Sequence, residues 1–218
     1  MKHSIRFIAD LARLLAQPAS VLGAFLLLIG LEAKAATFDS IRIESGMGLR
    51  NSNRAGRNAF GVDPVQGLMV RGQFRLPVLG ERVAGEGTNN AIWERVLANT
   101  NGWFEHAVMR GGYFVAPVVV ASERSMILEA QGHTMVYVNG EPRAGDVYLY
   151  GYLKLPVMLK KGTNLFVFQC GRGRLKAELV PPTSDLQLDF SDPTLPDLVV
   201  GERPQHWAGL VVINSTAQ

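Results

Sequence analysis

Apolar and polar residues alternate along most of the chain after Trp103, in short runs that are separated by turn residues. In residues 153–160 every second position is leucine or valine, and residues 174–180 repeat the alternation. A period of two is typical of half-buried antiparallel strands. The pattern predicts an all-β fold, an antiparallel β-sandwich, with strands at Trp103–Arg110, Tyr113–Ala121, Ser125–Ala130, Thr134–Val138, Tyr152–Leu159, Asn164–Cys170 and Arg174–Val180.

Two turn signals lie in the middle of this region. Asn139-Gly140 follows an apolar run, and both residue types tolerate the positive φ that a tight hairpin requires. Lys161-Gly162-Thr163-Asn164 separates two of the predicted strands. Both signals favour chain reversals between neighbouring antiparallel strands.

The flanking regions carry weaker patterns. Before Trp103 we predict strands at Ser40–Glu44 and Gly67–Phe74 around a Gly-, Asn- and Arg-rich loop, and a short helix or strand at Ala91–Ala98. After Pro181-Pro182 we predict strands at Leu186–Phe190, Asp197–Val200 and Leu210–Asn214. Residues 36–182 are thus the predicted sandwich domain and 183–218 a Pro-rich linker with extra strands. These strands either add to the sandwich or begin a second domain.

Residues 1–35 have the pattern of a secretory signal peptide. Lys2, Arg6 and Arg13 precede an uncharged apolar stretch, and Ala33-Lys34-Ala35 is the small-x-small motif of a cleavage site. An uncleaved anchor and an amphipathic presequence are the alternatives. The prediction is a secreted or periplasmic protein with no stable membrane anchor after cleavage.

Charge and cysteine content narrow the range of possible functions. Residues 1–35 hold four of the 22 basic and two of the 19 acidic residues, which leaves 18 and 17 in the remainder. A nearly neutral domain argues against binding nucleic acid, which requires a concentrated basic face. The single cysteine, Cys170, cannot form an internal disulfide, and its apolar surroundings predict a buried, inert thiol.

Catalytic signatures are absent from the sequence. No serine stands in a Gly-x-Ser-x-Gly elbow, and no histidine belongs to a His-Glu-x-x-His motif. His133 lies at the mouth of a predicted hairpin, where we expect a backbone carbonyl to satisfy it rather than a catalytic role. No cofactor and no metal ligand set is predicted, although a structural Ca²⁺ at Asp146 is compatible with this fold class.

The sharpest candidate site is a row of aromatic residues. In an extended segment the spacing of Tyr148, Tyr150 and Tyr152 places all three rings on one face, as in platforms that stack on sugar rings. Carboxylates and a guanidinium that could bind hydroxyls precede them, at Glu141, Arg143 and Asp146. The alternative is that the tyrosines cover the sheet or pack against a neighbouring domain.

Two arginines extend the candidate set. Arg172 and Arg174 flank a glycine and could present guanidinium groups to a carboxylated or sulfated glycan. Alternatively they are solvated, or pair with Asp146 or Glu141.

A family resemblance rests on longer strings. Val136-Tyr-Val-Asn-Gly140, followed by Leu153-x-Leu-Pro-Val-x-Leu-Lys-Lys-Gly-x-Asn164, resembles the galactose-binding-like jelly roll. With Gly132-His133, residues 140–146 and Gly171-Arg-Gly-Arg174, the chain resembles the N-terminal non-catalytic domain of secreted planctomycete-type hydrolases. In those proteins a prolyl-oligopeptidase-like α/β-hydrolase domain follows the sandwich. No nucleophile of that kind is present here, so the resemblance implies no peptidase activity.

The expected function is therefore that of a secreted, non-catalytic accessory domain. Its expected partner is a glycan or a hydrolase domain. One alternative is an N-terminal fragment of a secreted α/β-hydrolase or serine peptidase. The other is a small hydrolase with a site around His133, Glu141 and Asp146.

Overall fold

The computed structural model describes residues 39–50, 63–83, 91–197, 199–201 and 205–216. The chain is divided after Phe38, and the second unit, Asp39–Gln218, is compact. The predicted signal peptide lies outside the described residues. All of the described strands and helices belong to the second unit.

Strands account for most of the regular structure in the described part of the chain. They are β1 (Ile41–Arg42), β2 (Ser45–Leu49), β3 (Glu94–Leu97), β4 (Trp103–Glu105), β5 (Gly112–Val120), β6 (Arg124–Gln131), β7 (His133–Val138), β8 (Glu141–Ala144), β9 (Lys154–Leu159), β10 (Gly162–Cys170), β11 (Arg174–Val180), β12 (Leu186–Thr194) and β13 (Gly209–Asn214). Among the described residues, helical structure consists of α1 (Pro64–Val70) and a 3-10 turn at Ala107–Met109.

Two antiparallel sheets form the body of the fold. The first, sheet A, has the order β1-β11-β6-β9, with β4 also paired to β11, and the second, sheet B, has the order β3-β2-β5-β10-β7-β8. Phe104 of sheet A and Phe114 of sheet B lie with ring centroids 4.3 Å apart, so the sheets meet through their inner faces. The prediction of an all-β antiparallel sandwich is confirmed.

The core follows the period of two that the sequence shows. Leu155, Val157 and Leu159 are buried along β9, and alternate residues of β11 are buried in the same way. Burying each aliphatic or phenylalanine side chain stabilises the folded state by about 1.5–3 kcal/mol. The alternation therefore supplies the inner face of sheet A.

A second cluster covers the outer face of sheet B, where the prediction of a strand at Gly67–Phe74 is wrong. Asp63 caps helix α1 by accepting hydrogen bonds from the amides of Val65 (3.0 Å) and Gln66 (3.1 Å), and Pro64 occupies the first turn. The helix buries Val65 and Met69 in a cluster with Trp93 and Tyr113. The Asp-Pro pair is a helix-start signal that outweighs the β-branched residues after it.

Other boundaries also differ from the sequence prediction. β4 ends at Glu105, because His106 Nδ1 accepts a 3.2 Å hydrogen bond from the Val108 amide and starts the 3-10 turn. β2 lies inside the segment predicted as a loop, and β8 has no counterpart among the predicted strands. The described residues of Asp197–Val200 form no strand, whereas Ala91–Ala98 contains the strand β3.

The segment after the Pro-rich linker forms a separate two-stranded sheet. β12 and β13 pair antiparallel, with Leu188 opposite Val212 and Asp189 opposite Val211. This hairpin belongs to the same compact unit as the sandwich. It contacts β9, the edge strand of sheet A.

Candidate functional site

The tyrosine row, defined as Tyr148, Tyr150 and Tyr152, lies on the loop that joins β8 to β9. β8 is an edge strand of sheet B and β9 is an edge strand of sheet A, so the loop passes from one sheet to the other at one side of the sandwich. The ring centroids are 5.7 Å apart between Tyr148 and Tyr150 and 5.5 Å apart between Tyr150 and Tyr152, with interplanar angles of 28° and 27°. The three residues are 66%, 64% and 46% exposed. Three nearly parallel rings therefore face solvent on one side of the loop.

The backbone reaches this arrangement by another route than the predicted extended segment. β9 begins only at Lys154, and both residues between the tyrosines, Leu149 (φ 66°) and Gly151 (φ 71°), are left-handed. A left-handed leucine is strained, so surrounding contacts must hold it. The Leu149 side chain packs so closely over Gly132 that a Cβ at that glycine would lie 2.9 Å from Leu149 Cδ2. This contact anchors the residue between Tyr148 and Tyr150.

Asp146 fixes the backbone of the loop through hydrogen bonds. It is buried, its Oδ1 accepts a 3.0 Å hydrogen bond from the Tyr150 amide, and its Oδ2 accepts a 3.0 Å hydrogen bond from the Gly151 amide. Both carboxylate oxygens are thus engaged with the backbone of the loop. Asp146 positions the tyrosine row rather than facing solvent as a sugar ligand.

Glu141 and Arg143 lie on β8, next to the same loop. Their positions in the register oppose Val138 and Val136, which are buried, so both share the face of sheet B that is directed at sheet A. Glu141 is exposed and Arg143 half-buried. They belong to the same edge of the sandwich as the tyrosine row.

The two candidate arginines differ in their surroundings. Arg174 Nε lies 2.7 Å from Glu105 Oε1, and its guanidinium carbon lies 4.6 Å from the centroid of the Trp103 ring. Its partner is therefore Glu105 and not the predicted Asp146 or Glu141. Arg172 is exposed on the turn between β10 and β11 and forms no ion pair with a described residue.

His133 is fully buried at the start of β7 and stands edge-on to Phe168, with ring centroids 5.4 Å apart. Burial lowers the pKa of His133 to about 4, although the Asp146 carboxylate and the Ala144 backbone oppose the shift. Neither ring nitrogen of His133 has a hydrogen-bond partner among the described residues, so the expectation that a backbone carbonyl satisfies the imidazole is wrong, and the Ala144 backbone interacts with the ring only weakly. A neutral imidazole without solvent access cannot serve a substrate, so His133 supports the fold.

The thiol of Cys170 lies in the core, away from solvent. Cys170 is buried, and burial raises the pKa of its thiol well above the ordinary range, which leaves the sulfur protonated and inert. Within the described ranges, no three His, Cys, Asp or Glu side chains gather in a way that could hold a metal ion.

The hairpin carries a second surface that the sequence analysis missed. Asp189, on its inner side, is 3.0 Å from Lys154 Nζ of β9, and Ile213 is buried on the same side. The outward side is apolar and exposed, and we call it the ribbon face: Leu186, Leu188, Phe190, Leu210 and Val212. The alternation in residues 186–190 is visible in the sequence, but which side meets the sandwich is not.

Comparison of the chain with protein-family models, with curated proteins and with solved structures gave no match. In the described part of the chain, no helix has the length and apolar character needed to cross a bilayer.

Proposed function

We propose that this chain is a secreted or periplasmic, non-catalytic β-sandwich that binds glycan through the tyrosine row. The observation that carries the proposal is the exposure of three nearly parallel aromatic rings on a loop fixed by Asp146. A rigid aromatic surface offers apolar contact area at low cost in conformational entropy, and its hydroxyls donate and accept hydrogen bonds. The signal-like residues 1–35 support the location.

The spacing of the rings limits how a glycan would bind. Parallel rings with centroids about 5.5 Å apart leave no space for a sugar between them, since two van der Waals separations of about 3.5–4.0 Å would be needed. A glycan chain would instead lie along the row, in contact with the outer ring surfaces and the phenolic hydroxyls. Glu141 and Arg143 would supply charged partners at the same edge.

The test is binding of the full chain to an array of polysaccharides and oligosaccharides. We expect Tyr148→Ala/Tyr150→Ala to weaken the affinity about tenfold or more, as loss of a central aromatic contact typically does. Trp207→Ala is the matched control, because it removes another exposed aromatic from outside the row. Binding that survives in the double variant, or no binding to any glycan by the folded protein, would contradict the proposal.

A second candidate function, docking onto a hydrolase domain, is favoured by the ribbon face. Residues 183–218 contain five acidic residues and one basic residue, so the apolar face lies in an acidic segment. A partner would complement it with an apolar patch bordered by lysine or arginine. Exposed apolar faces of this kind typically mark protein interaction sites.

Docking is tested by mixing the chain with a purified prolyl-oligopeptidase-like α/β-hydrolase and measuring association by calorimetry and gel filtration. We expect Leu188→Ser/Phe190→Ser to abolish the complex. Val119→Ser, an exposed apolar position on β5, is the control and should not affect it. Failure to associate, or equal association of the ribbon-face variant, would exclude this role.

A further inference from the structure

A row of three side chains crosses the outer face of sheet A, the face turned away from sheet B. Gln131 is the last residue of β6 and follows Ala130, which is buried, so the alternation directs Gln131 outward. Gln131 lies opposite Lys176 of β11, and Lys176 lies opposite Trp103 of β4. Residues directly opposite one another on neighbouring strands share a face and lie about 5 Å apart. We call these three half-buried residues, Gln131, Lys176 and Trp103, the outer row.

The outer row meets the tyrosine row at Gly151, between Tyr150 and Tyr152. A Cβ added to this glycine would lie 2.9 Å from Cδ of Gln131 and would also collide with its Nε2. The carboxamide of Gln131 therefore lies directly against the backbone of the loop. This close approach requires a glycine, and its φ of 71° is also one that glycine adopts without strain.

The alternation of β9 places Tyr152 on the same side of sheet A as Gln131. Lys154 begins β9 opposite Glu129 and points outward, since Leu155 after it is buried. Tyr152 precedes Lys154 by two residues. Because Gln131 follows Glu129 by two, the antiparallel register, continued into the loop, sets Tyr152 beside Gln131. The contact between Gln131 and the loop agrees with this placement.

The Gln131 carboxamide is available to a ligand. Among the described residues it has no hydrogen-bond partner, and neither its oxygen nor its nitrogen is closed off from solvent. A carboxamide carries two N–H donors and an acceptor oxygen, which suits the adjacent hydroxyls of a sugar unit. Its contact with the loop also restrains the side chain, so that binding costs less conformational entropy.

Ion pairs leave little net charge around the outer row. Arg174 Nε lies 2.7 Å from Glu105 Oε1, and Lys154 Nζ lies 3.0 Å from Asp189 Oδ1. Lys176 forms no ion pair with a described residue, and its ammonium group can donate to hydroxyls. A surface on which most cations are paired favours a neutral glycan over a polyanion.

Trp103 stands at the far end of the outer row. The guanidinium carbon of Arg174 lies 4.6 Å from the centroid of its ring, a cation–π contact that fixes the orientation of the indole. The exposed part of the half-buried indole, next to Lys176, can contact the apolar face of a sugar. Aromatic contacts therefore flank the polar pair of Gln131 and Lys176 on both sides.

We propose that the outer row extends the tyrosine row into one binding surface for a linear, neutral glycan, in which Gln131 and Lys176 bind hydroxyls and Trp103 contacts a sugar unit at the far end. This inference rests on the proposed glycan binding by the tyrosine row and adds residues that lie on the sheet rather than on the loop. Because the surface spans the loop and three further strands, a long chain binds it more tightly than a short one.

The experiment is an NMR titration of the full ¹⁵N-labelled chain with linear β-1,4-linked hexasaccharides of glucose, xylose and mannose, and with the corresponding trisaccharides. We expect saturable shifts at the amides of residues 148–152, 131 and 174–176 with a hexasaccharide. Gln131→Met and Lys176→Met keep the side-chain stems and should each weaken hexasaccharide binding about fivefold, the typical effect of losing one hydrogen bond. Lys176→Met should leave trisaccharide binding to the tyrosine row unchanged.

Matched controls remove the same groups elsewhere. Gln66→Met changes an exposed glutamine of α1, and Lys160→Met changes an exposed lysine after β9; both variants should bind like the unmodified chain. Unchanged hexasaccharide affinity in the Gln131 and Lys176 variants, together with loss in Tyr148→Ala/Tyr150→Ala, would overturn the extension and leave the tyrosine row in place. Equal affinity for trisaccharide and hexasaccharide would also overturn it. No saturable shift with any of these glycans would overturn both proposals.

Discussion

The side-chain amide of Asn139 donates a 2.9 Å hydrogen bond to Oδ1 of Asn164, so the two turn signals of the sequence are joined in space. Asn139 has φ 51° and Gly140 φ 91°, the left-handed pair that a two-residue hairpin between β7 and β8 requires. Asn139 Oδ1 also accepts from the Leu165 amide over 2.9 Å. A turn at one end of sheet B is thereby tied to the start of the neighbouring strand.

Asn164→Ala should lower the free energy of unfolding by about 2–3 kcal/mol, because it leaves buried polar groups without partners. Asn164 is fully buried, its Oδ1 accepts from the Lys160 amide at 2.9 Å, and its Nδ2 donates to the Lys160 carbonyl at 2.8 Å. Urea denaturation measures the change. Asn214→Ala, in the exposed C-terminal turn, is the control; an equal loss there would contradict the special role of Asn164.

Asp146→Ala should disorder the tyrosine row without removing a ring. The amides of Tyr150 and Gly151 lose their acceptors, at a cost of about 1–3 kcal/mol in stability. Asp146→Asn keeps one acceptor oxygen and should show a smaller loss. Near-ultraviolet circular dichroism, which reports on the packing of tyrosines, should change more in the alanine variant. An unchanged spectrum would show that other contacts hold the loop.

Burial of His133 should make the fold less stable in mild acid. Its pKa is about 4 in the folded state and has the ordinary value of 6.5 in the unfolded chain, so the unfolded chain binds the extra proton between these values. The contribution of the buried, neutral imidazole to the free energy of unfolding is complete above pH 6.5 and is lost as the pH falls towards 4. The loss between about pH 7.5 and about pH 4.5 is about 2–3 kcal/mol. Urea denaturation at both pH values should show it, and His133→Gln should flatten the difference; an unchanged difference would refute the assignment.

The ion pair of Lys154 and Asp189 should control how firmly the hairpin is held. Burial raises the pKa of Asp189, but hydrogen bonds from Lys154 and Ser191 outweigh it, and the pKa is lowered overall. Lys154→Met should therefore weaken hydrogen-exchange protection of the hairpin amides by about 1 kcal/mol, while the sandwich keeps its protection. Arg75→Gln breaks an exposed ion pair with Glu81 and is the control. An equal loss of hydrogen-exchange protection in the hairpin and in the sandwich would mean that the hairpin does not open separately.

Strand positions are largely readable from the sequence because their physical cause is local. The predicted strand Arg174–Val180 coincides with β11, and the turn residues Asn139, Gly140 and Gly162 adopt the positive φ that their chemistry permits. Where two local signals compete, the sequence misleads. The β-branched Val70 and the apolar residues around it suggest a strand, but the cap at Asp63 and Pro64 decides for a helix.

The candidate residues around the tyrosine row can be identified from spacing alone, but their roles cannot. Spacing places the three rings together, and the structure brings them together through left-handed Leu149 and Gly151 instead of an extended strand. Asp146 resembles a ligand in the sequence because a carboxylate in a loop is usually exposed. Its burial depends on how the loop passes over β7, which involves residues distant in sequence.

By itself, the sequence determined the all-β class, the alternation that builds the sheets and the positions of the main turns, since these follow from each residue's own conformational preferences and those of its neighbours. Only the tertiary structure decided which strands become neighbours and where the hairpin packs against sheet A. That choice brings Asn139 to Asn164 and Lys154 to Asp189. Contacts between residues far apart in the chain depend on sheet order and register, and no local pattern encodes them.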